Sequence, residues 1–333
     1  MDAPVIPVVE VCRALASAGS WGDLCRALEN QLDVAAQSPT LIMFYAEGLM
    51  RTGQPCPSRR WLSANDTVLR NSGDRSAIRR AANLAGAASL ELGELITAIG
   101  HFERALDLGR IDGDDLLVAR ATNNLAVIAT IRGRHTEALG LYASAIPSYQ
   151  RIGNVNGIAE SYHNTAIALR KLQRLDAAED HERRAAEYAR QVSNDRLVAL
   201  TLVGRAEISL MRGDAALAEA TATRAARDLA TVGDPARQAD AIRLTGVARL
   251  VMGQVAAART ALDQAVTLAA QHNSTLIEAE SRWARAQVAL ALEDRTAALD
   301  DAQRAATMFR QLDAPIEFAA VTAWAAQHSL PVT

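Results

Sequence analysis

The chain is 333 residues long, with 50% hydrophobic, 22% charged and only 4% aromatic side chains, a mixture that can bury a large core and lies far from the disordered range. Its 35 basic and 38 acidic residues leave a formal charge of −3, so no cationic excess exists to neutralise a phosphate backbone or an anionic bilayer. This argues against direct nucleic-acid partners and membrane insertion. No run of about 18 apolar residues occurs, Met1-Asp2-Ala3-Pro4 lacks the positive start of a signal peptide, and a cytoplasmic location is expected. Arginine supplies all the basic residues except Lys171, the usage of a GC-rich bacterial gene.

From the amino terminus, apolar spacing predicts an antiparallel helix pair over residues 7–18 and 21–35, turning near Gly19. That pairing sets Cys12 and Cys25 at similar heights. With Cys56 they lack the C-x-x-C spacing of a zinc or redox site, and all three are expected as free, buried thiols. A second pair is interrupted by Gln54-Pro55-Cys56-Pro57, which reads as a longer turn. Residues 1–73 are thus expected to form two degenerate hairpins.

From residue 74 the chain repeats every forty residues. Gly93, Gly133, Gln173, Gly213, Gly253 and Glu293 share one phase. Ala98, Ala138, Ala178, Ala218, Ala258 and Ala298 share a second, and Ala105, Ala145, Ala185, Ala225, Ala265 and Ala305 a third. At about one in five per position, such a coincidence is on the order of one in ten to the eighth, so the period is real. Gly73, Gly113, Gly153, Ser193, Gly233, Asn273 and Asp313 mark helix stops, mostly at residues that tolerate a left-handed backbone. Asp74, Asp114, Asn154, Asn194, Asp234 and Ser274 follow them as helix N-caps. The units therefore run 74–113, 114–153, 154–193, 194–233, 234–273 and 274–313, each with two helices. Asp313 and Pro315 start a last helix to about His328, which covers the open apolar edge, and Trp21, Trp61 and Trp324 are expected to cap the two ends.

Within the units, Gly86, Gly93, Ala98, Phe102 and Ala105, and then Ala126, Gly133, Ala138, Tyr142 and Ala145, form a pattern that resembles the tetratricopeptide repeat. The forty-residue length resembles the long-repeat branch found in kinesin light chains and in the sensor domains of bacterial maltose-activator-type regulators. The resemblance covers about residues 74–313. It implies an all-α, right-handed α-solenoid, a superhelix of helical hairpins with a C-terminal capping helix over residues 314–333, continuous along the chain. The aromatic position becomes Glu182, Ala222, Leu262 and Ala302 in later units, where aliphatic contacts are expected to do the packing.

The resemblance also implies a concave wall, made by the first helix of each pair, that holds extended peptides. Projected onto this chain, its positions include Arg80, Asn83, Arg120, Asn123, Asn124, His163, Asn164, Arg170 and Lys171, then Arg243 and Trp283, with Glu207, Asp240 and Glu280 beside them. Cations and amides dominate the earlier set and carboxylates enter the later one, so a polarised groove is expected. Asn124 and Asn164 hold the same slot in consecutive repeats, and a side-chain amide can both donate to and accept from a peptide backbone of any sequence. Arg80, Arg120 and Arg170 suit bidentate contact with carboxylates. Trp283 is either an apolar anchor in the groove or part of the core.

No catalytic constellation is visible. The six histidines lack H-x-x-x-H or H-E-x-x-H spacing, and there is no phosphate loop, dinucleotide fingerprint or nucleophile elbow. Asp300-Asp301 reads as a solvated face. No metal, cofactor or enzymatic activity is expected. The expected function is a non-enzymatic protein–protein interaction scaffold that grips a peptide segment or helix of another protein. The alternative is a stand-alone sensor domain that binds a small molecule or signalling peptide and controls a partner regulator. A homodimer is left open.

Overall fold

The computed structural model describes residues 5–332, and the amino-terminal tetrapeptide read above lies outside the described residues. Among the described residues every regular element is an α-helix. Packing groups the chain into two compact units, Met1–Gly157 and Ile158–Thr333.

The first unit holds α1 (Val5–Ser17), α2 (Trp21–Glu29), α3 (Leu32–Ala35), α4 (Pro39–Arg51), α5 (Pro55–Ala64), α6 (Asp66–Asn71), α7 (Arg75–Glu91), α8 (Leu95–Asp112), α9 (Asp115–Ile131) and α10 (His135–Arg151). The expected single helix over 21–35 is split. Gln31, at φ −139° and ψ 31°, leaves the helical backbone between α2 and α3. Leu24, Leu28 and Ala35 still reach one core together with Cys12 and Cys25. These two thiols are buried and Cys56 is half-buried, all three free. Trp21 and Trp61 pack at the same end, and Trp61 donates its indole N–H to the Ile42 carbonyl at 3.0 Å.

α11 (Val155–Lys171) spans the division between the units. The second unit continues with α12 (Leu175–Gln191), α13 (Asp195–Met211), α14 (Ala215–Thr231), α15 (Pro235–Val251), α16 (Val255–Gln271), α17 (Thr275–Ala291), α18 (Arg295–Gln311) and α19 (Pro315–Gln327). Trp324 packs against the core between α18 and α19.

The punctuation read from the sequence has a direct structural counterpart at five of the six expected caps, while Ser274 forms no side-chain cap hydrogen bond. Asp74, Asp114, Asn194 and Asp234 each accept the backbone N–H three residues on, and Asn154 does the same for Gly157. Each such cap contributes about 1 kcal/mol. The residue before each of these caps has positive φ, from 52° at Ser193 to 71° at Gly73 and Gly233. The twelve repeat alanines are all at most 1% exposed, because first and second helices approach there too closely for a larger side chain. Phe102 and Tyr142 fill the gap beside them, and a Cβ at Gly86 would lie 2.7 Å from the Phe102 ring.

Successive first helices also pack on one another: α4 on α7 and α7 on α9 in the first unit, α13 on α15 and α15 on α17 in the second. Among the described residues no two successive second helices are packed in this way. In each unit the stack is therefore tighter along the first-helix wall, which makes that wall the inner one.

Candidate functional site

The inner wall carries residues spaced by forty, so each helical position becomes a row of side chains. In the first unit, Arg80 on α7 is exposed and pairs with Glu47 of α4 at 2.6 Å. Asn83, one turn on, is half-buried, and its Oδ1 is buried without a hydrogen-bond partner. On α9, Arg120 is exposed, Asn123 is buried and Asn124 is half-buried. Arg120 has no ion-pair partner among the described residues.

In the second unit most of the expected residues meet in one polar network. Glu182 on α12 is fully buried. Its Oε2 accepts from His163 Nδ1 at 2.8 Å, and its Oε1 accepts from Arg170 at 3.0 Å. Arg170 also pairs with Glu207 of α13. Glu207 lies 3.8 Å from Arg243 of α15, which is bonded to Asp240 at 2.6 Å and to Glu280 of α17 at 3.3 Å. A chain of alternating charge thus joins α11, α12, α13, α15 and α17.

Ala222, Leu262 and Ala302 pack among apolar neighbours as expected, but Glu182 departs from the expectation of aliphatic packing at the lost aromatic positions. It occupies the place of Phe102 and Tyr142, but a carboxylate cannot be buried there without partners, and Arg170 and His163 supply them. Room comes from α13. A Cβ at Gly204 would lie 2.0 Å from Glu182 Oε1 and 2.8 Å from Arg170 Nη1. The signal in the sequence was a glutamate at an aromatic position, with a glycine twenty-two residues later where the preceding repeats have Asn124 and Asn164.

The electrostatics follow from crowding. Burial alone would lower the Arg243 pKa, but Glu280, Asp240 and Glu207 together hold it above the ordinary arginine range. Burial lifts the Glu280 carboxyl above the usual carboxylate range. Arg243 and the more distant Lys171 oppose that rise, while Asp240 and Glu207 add to it. Lys171 itself is exposed and Asn164 half-buried. Counting Glu182, Glu207, Asp240 and Glu280 against Arg170, Lys171 and Arg243, four carboxylates face three cations.

Trp283 packs into the core of α17 and α18. Its ring is edge-on to Phe309 with centroids 6.5 Å apart, and its indole Nε1 is buried without a hydrogen-bond partner. The Asp300-Asp301 pair divides. Asp300 is exposed, whereas Asp301 is 4% exposed and takes a bidentate contact from Arg285 at 2.7 Å, so half of the expected solvated face is an internal ion pair. That contact, with Asp263, raises the Arg285 pKa against the effect of burial. Among the described residues no group of three or more His, Cys, Asp or Glu could hold a metal, and no helix is long and apolar enough to cross a membrane.

Part of the chain, residues 77–191, matches the tetratricopeptide repeat. The family model for that repeat matches residues 77–151 and 117–191, and the same helix geometry continues to Gln311. No curated protein matches the chain. Among solved structures, a Rap protein complexed with competence and sporulation factor is similar at 16% identity over 98% of both chains, with a TM-score of 0.66. The apo quorum sensor NprR of B. thuringiensis is 11% identical over 98% of this chain and 99% of its own, with a TM-score of 0.62. A signal-transduction ATPase with a tetratricopeptide repeat sensor, from Pyrococcus horikoshii, is 17% identical and also scores 0.62, over 86% of this chain and 42% of its own. At such identities the likeness is one of fold: an all-α tetratricopeptide solenoid.

Proposed function

We propose that the protein is a non-enzymatic binding scaffold that holds an extended peptide segment of a partner protein along the first-helix walls. The observation that carries this reading is the concentration of half-buried amides and charges on the inner wall of an otherwise alanine-packed repeat. Asn124 and Asn164 supply sequence-independent contacts to peptide backbone. Arg120 offers the first unit a free cation for a ligand carboxylate. In the second unit the arginines are already committed to carboxylates, and the excess of acid there favours a ligand segment bearing Lys or Arg.

The test uses peptides selected from a random display library against the whole chain. Their affinity for the double variant Asn124→Ala, Asn164→Ala should fall by about tenfold or more, with the melting temperature unchanged. Undiminished binding would move the site off these walls.

A sensor reading uses the same first-helix walls. It is favoured by fold likeness to the quorum sensor NprR and to the Rap protein solved with competence and sporulation factor. In that case the ligand would be a free signalling molecule whose capture alters affinity for a regulator.

A further inference from the structure

The first unit contains a cavity of about 640 Å³ that the inner wall does not include. It lies among α5, α6, α7 and α8. In the regular repeats the second helix is one continuous rod of seventeen or eighteen residues, as in α10 and α8. Here α5 ends at Ala64 after ten residues, and α6 restarts at Asp66 for only six. Asn65, at one of the alanine positions of the repeat, bends the chain and donates to the Trp61 carbonyl at 2.9 Å. Opposite the break, α7 presents Ala81, Ala82 and Ala85, with Ile78 as its one larger side chain. A shortened helix facing small side chains leaves the space empty.

The lining has two chemistries. Leu62, Leu69 and Ile78 give an apolar floor, and Arg59, Arg60, Arg70 and Arg104 surround it with Asp66 and His101. Asp66 is shared by Arg70 at 2.5 Å and Arg104 at 3.7 Å, and Arg59 pairs with Glu94. Arg60 is exposed and has no ion-pair partner among the described residues. Four guanidinium groups against two carboxylates leave two positive charges in excess, in a chain whose formal charge is −3. Both the volume and the pairing of an apolar floor with a few converging polar groups suit a small-molecule site.

We propose that this cavity binds a small amphipathic organic anion, a carboxylate or phosphate monoester whose apolar body rests on the Leu62, Leu69 and Ile78 floor while its head pairs with Arg60 and Arg104. A bare inorganic anion would leave the floor unused, and a neutral or cationic amphiphile would leave the guanidinium excess uncompensated.

The test is calorimetric titration of the whole chain at low salt with octanoate, octyl phosphate, octanol, octylamine and inorganic phosphate as probes. Octanoate or octyl phosphate should bind saturably at one site and raise the melting temperature, and which is tighter identifies the head group. Inorganic phosphate, octanol and octylamine should each bind about tenfold more weakly or not at all. Arg104→Gln and Arg60→Gln should each weaken the octyl anions by about tenfold, and Ala81→Leu, which fills the floor, should remove binding while the circular dichroism spectrum and melting temperature persist. If Ala81→Leu does not fold, the two arginine variants decide. Absence of saturable binding by both octyl anions, equal binding of inorganic phosphate or octylamine, or binding indifferent to both arginine substitutions would overturn the proposal. Display-selected peptides that bind the inner wall should be unaffected by Arg60→Gln, so the two sites are read separately.

Discussion

Gly204 lies directly over Glu182: a Cβ at position 204 would come within 2.0 Å of the Glu182 Oε1 atom. The glycine is what allows a carboxylate to replace the ring that Phe102 and Tyr142 supply elsewhere. Gly204→Ala should therefore displace a fully buried, doubly bonded group and destabilise the fold by about 3 kcal/mol. Gly140→Ala, within α10, is the control, since nothing lies within 4 Å of its new methyl. Thermal melts of the two variants should separate clearly, and equal losses would mean that the carboxylate is not the constraint.

Arg170 and Glu182 are energetically one unit. Removing either partner leaves the other with one remaining contact, Glu207 for Arg170 and His163 for Glu182, in a site where Arg170 is 12% and Glu182 0% exposed, at a cost of about 1–3 kcal/mol. Arg170→Met with Glu182→Leu should restore part of that loss. A double-mutant cycle by chemical denaturation should give a coupling of about 1–3 kcal/mol, and strictly additive losses would contradict the network.

Gln173 and Glu293 hold the left-handed backbone at φ 59° and 62°, in the phase where Gly93, Gly133, Gly213 and Gly253 hold it without a Cβ. Gln173→Gly and Glu293→Gly should each stabilise the protein by about 1 kcal/mol, because the strain removed exceeds the entropy added to the unfolded chain. Gly133→Ala should cost a similar amount. Melting temperatures of the three variants check the signs.

His101 gives stability a pH dependence. Burial lowers its pKa below the ordinary histidine value of 6.5; Arg104 and Arg59 lower it further, against Asp66. In the window between the lowered folded value and 6.5, the unfolded chain binds more protons than the folded one, so stability rises with pH. The contribution is complete above 6.5 and is lost as pH falls through that window. Unfolding followed from pH 7.5 to 5 should show this slope, and His101→Gln should flatten it. An unchanged slope would place its origin elsewhere.

The repeat was legible because its signals are local. A stop at Gly73, a cap at Asp74 and an alanine at Ala98 each act on their own turn of helix, and forty-residue spacing multiplies a weak signal six times. The polar network was not legible for the opposite reason. Arg170 meets Glu207, and Arg243 meets Glu280, each 37 positions further along the chain, contacts that exist only after hairpins have stacked. The same holds for Asp301, where the side chain that buries it, Arg285, belongs to the preceding helix. The cavity beside α7 was hidden in a negative feature. Asn65 at an alanine position reads as degeneration, and only packing reveals the space that it leaves.

The central claim is that a partner segment lies on the first-helix walls. It is tested most directly by placing the photo-crosslinking residue benzoylphenylalanine at Asn124, Asn164, Glu103 or Thr136 in turn and irradiating each protein with a display-selected peptide. Asn124 and Asn164 lie on first helices, whereas Glu103 and Thr136 are exposed on second helices. The account predicts covalent adducts from positions 124 and 164 and none from 103 and 136; adducts from the second-helix positions alone would contradict it.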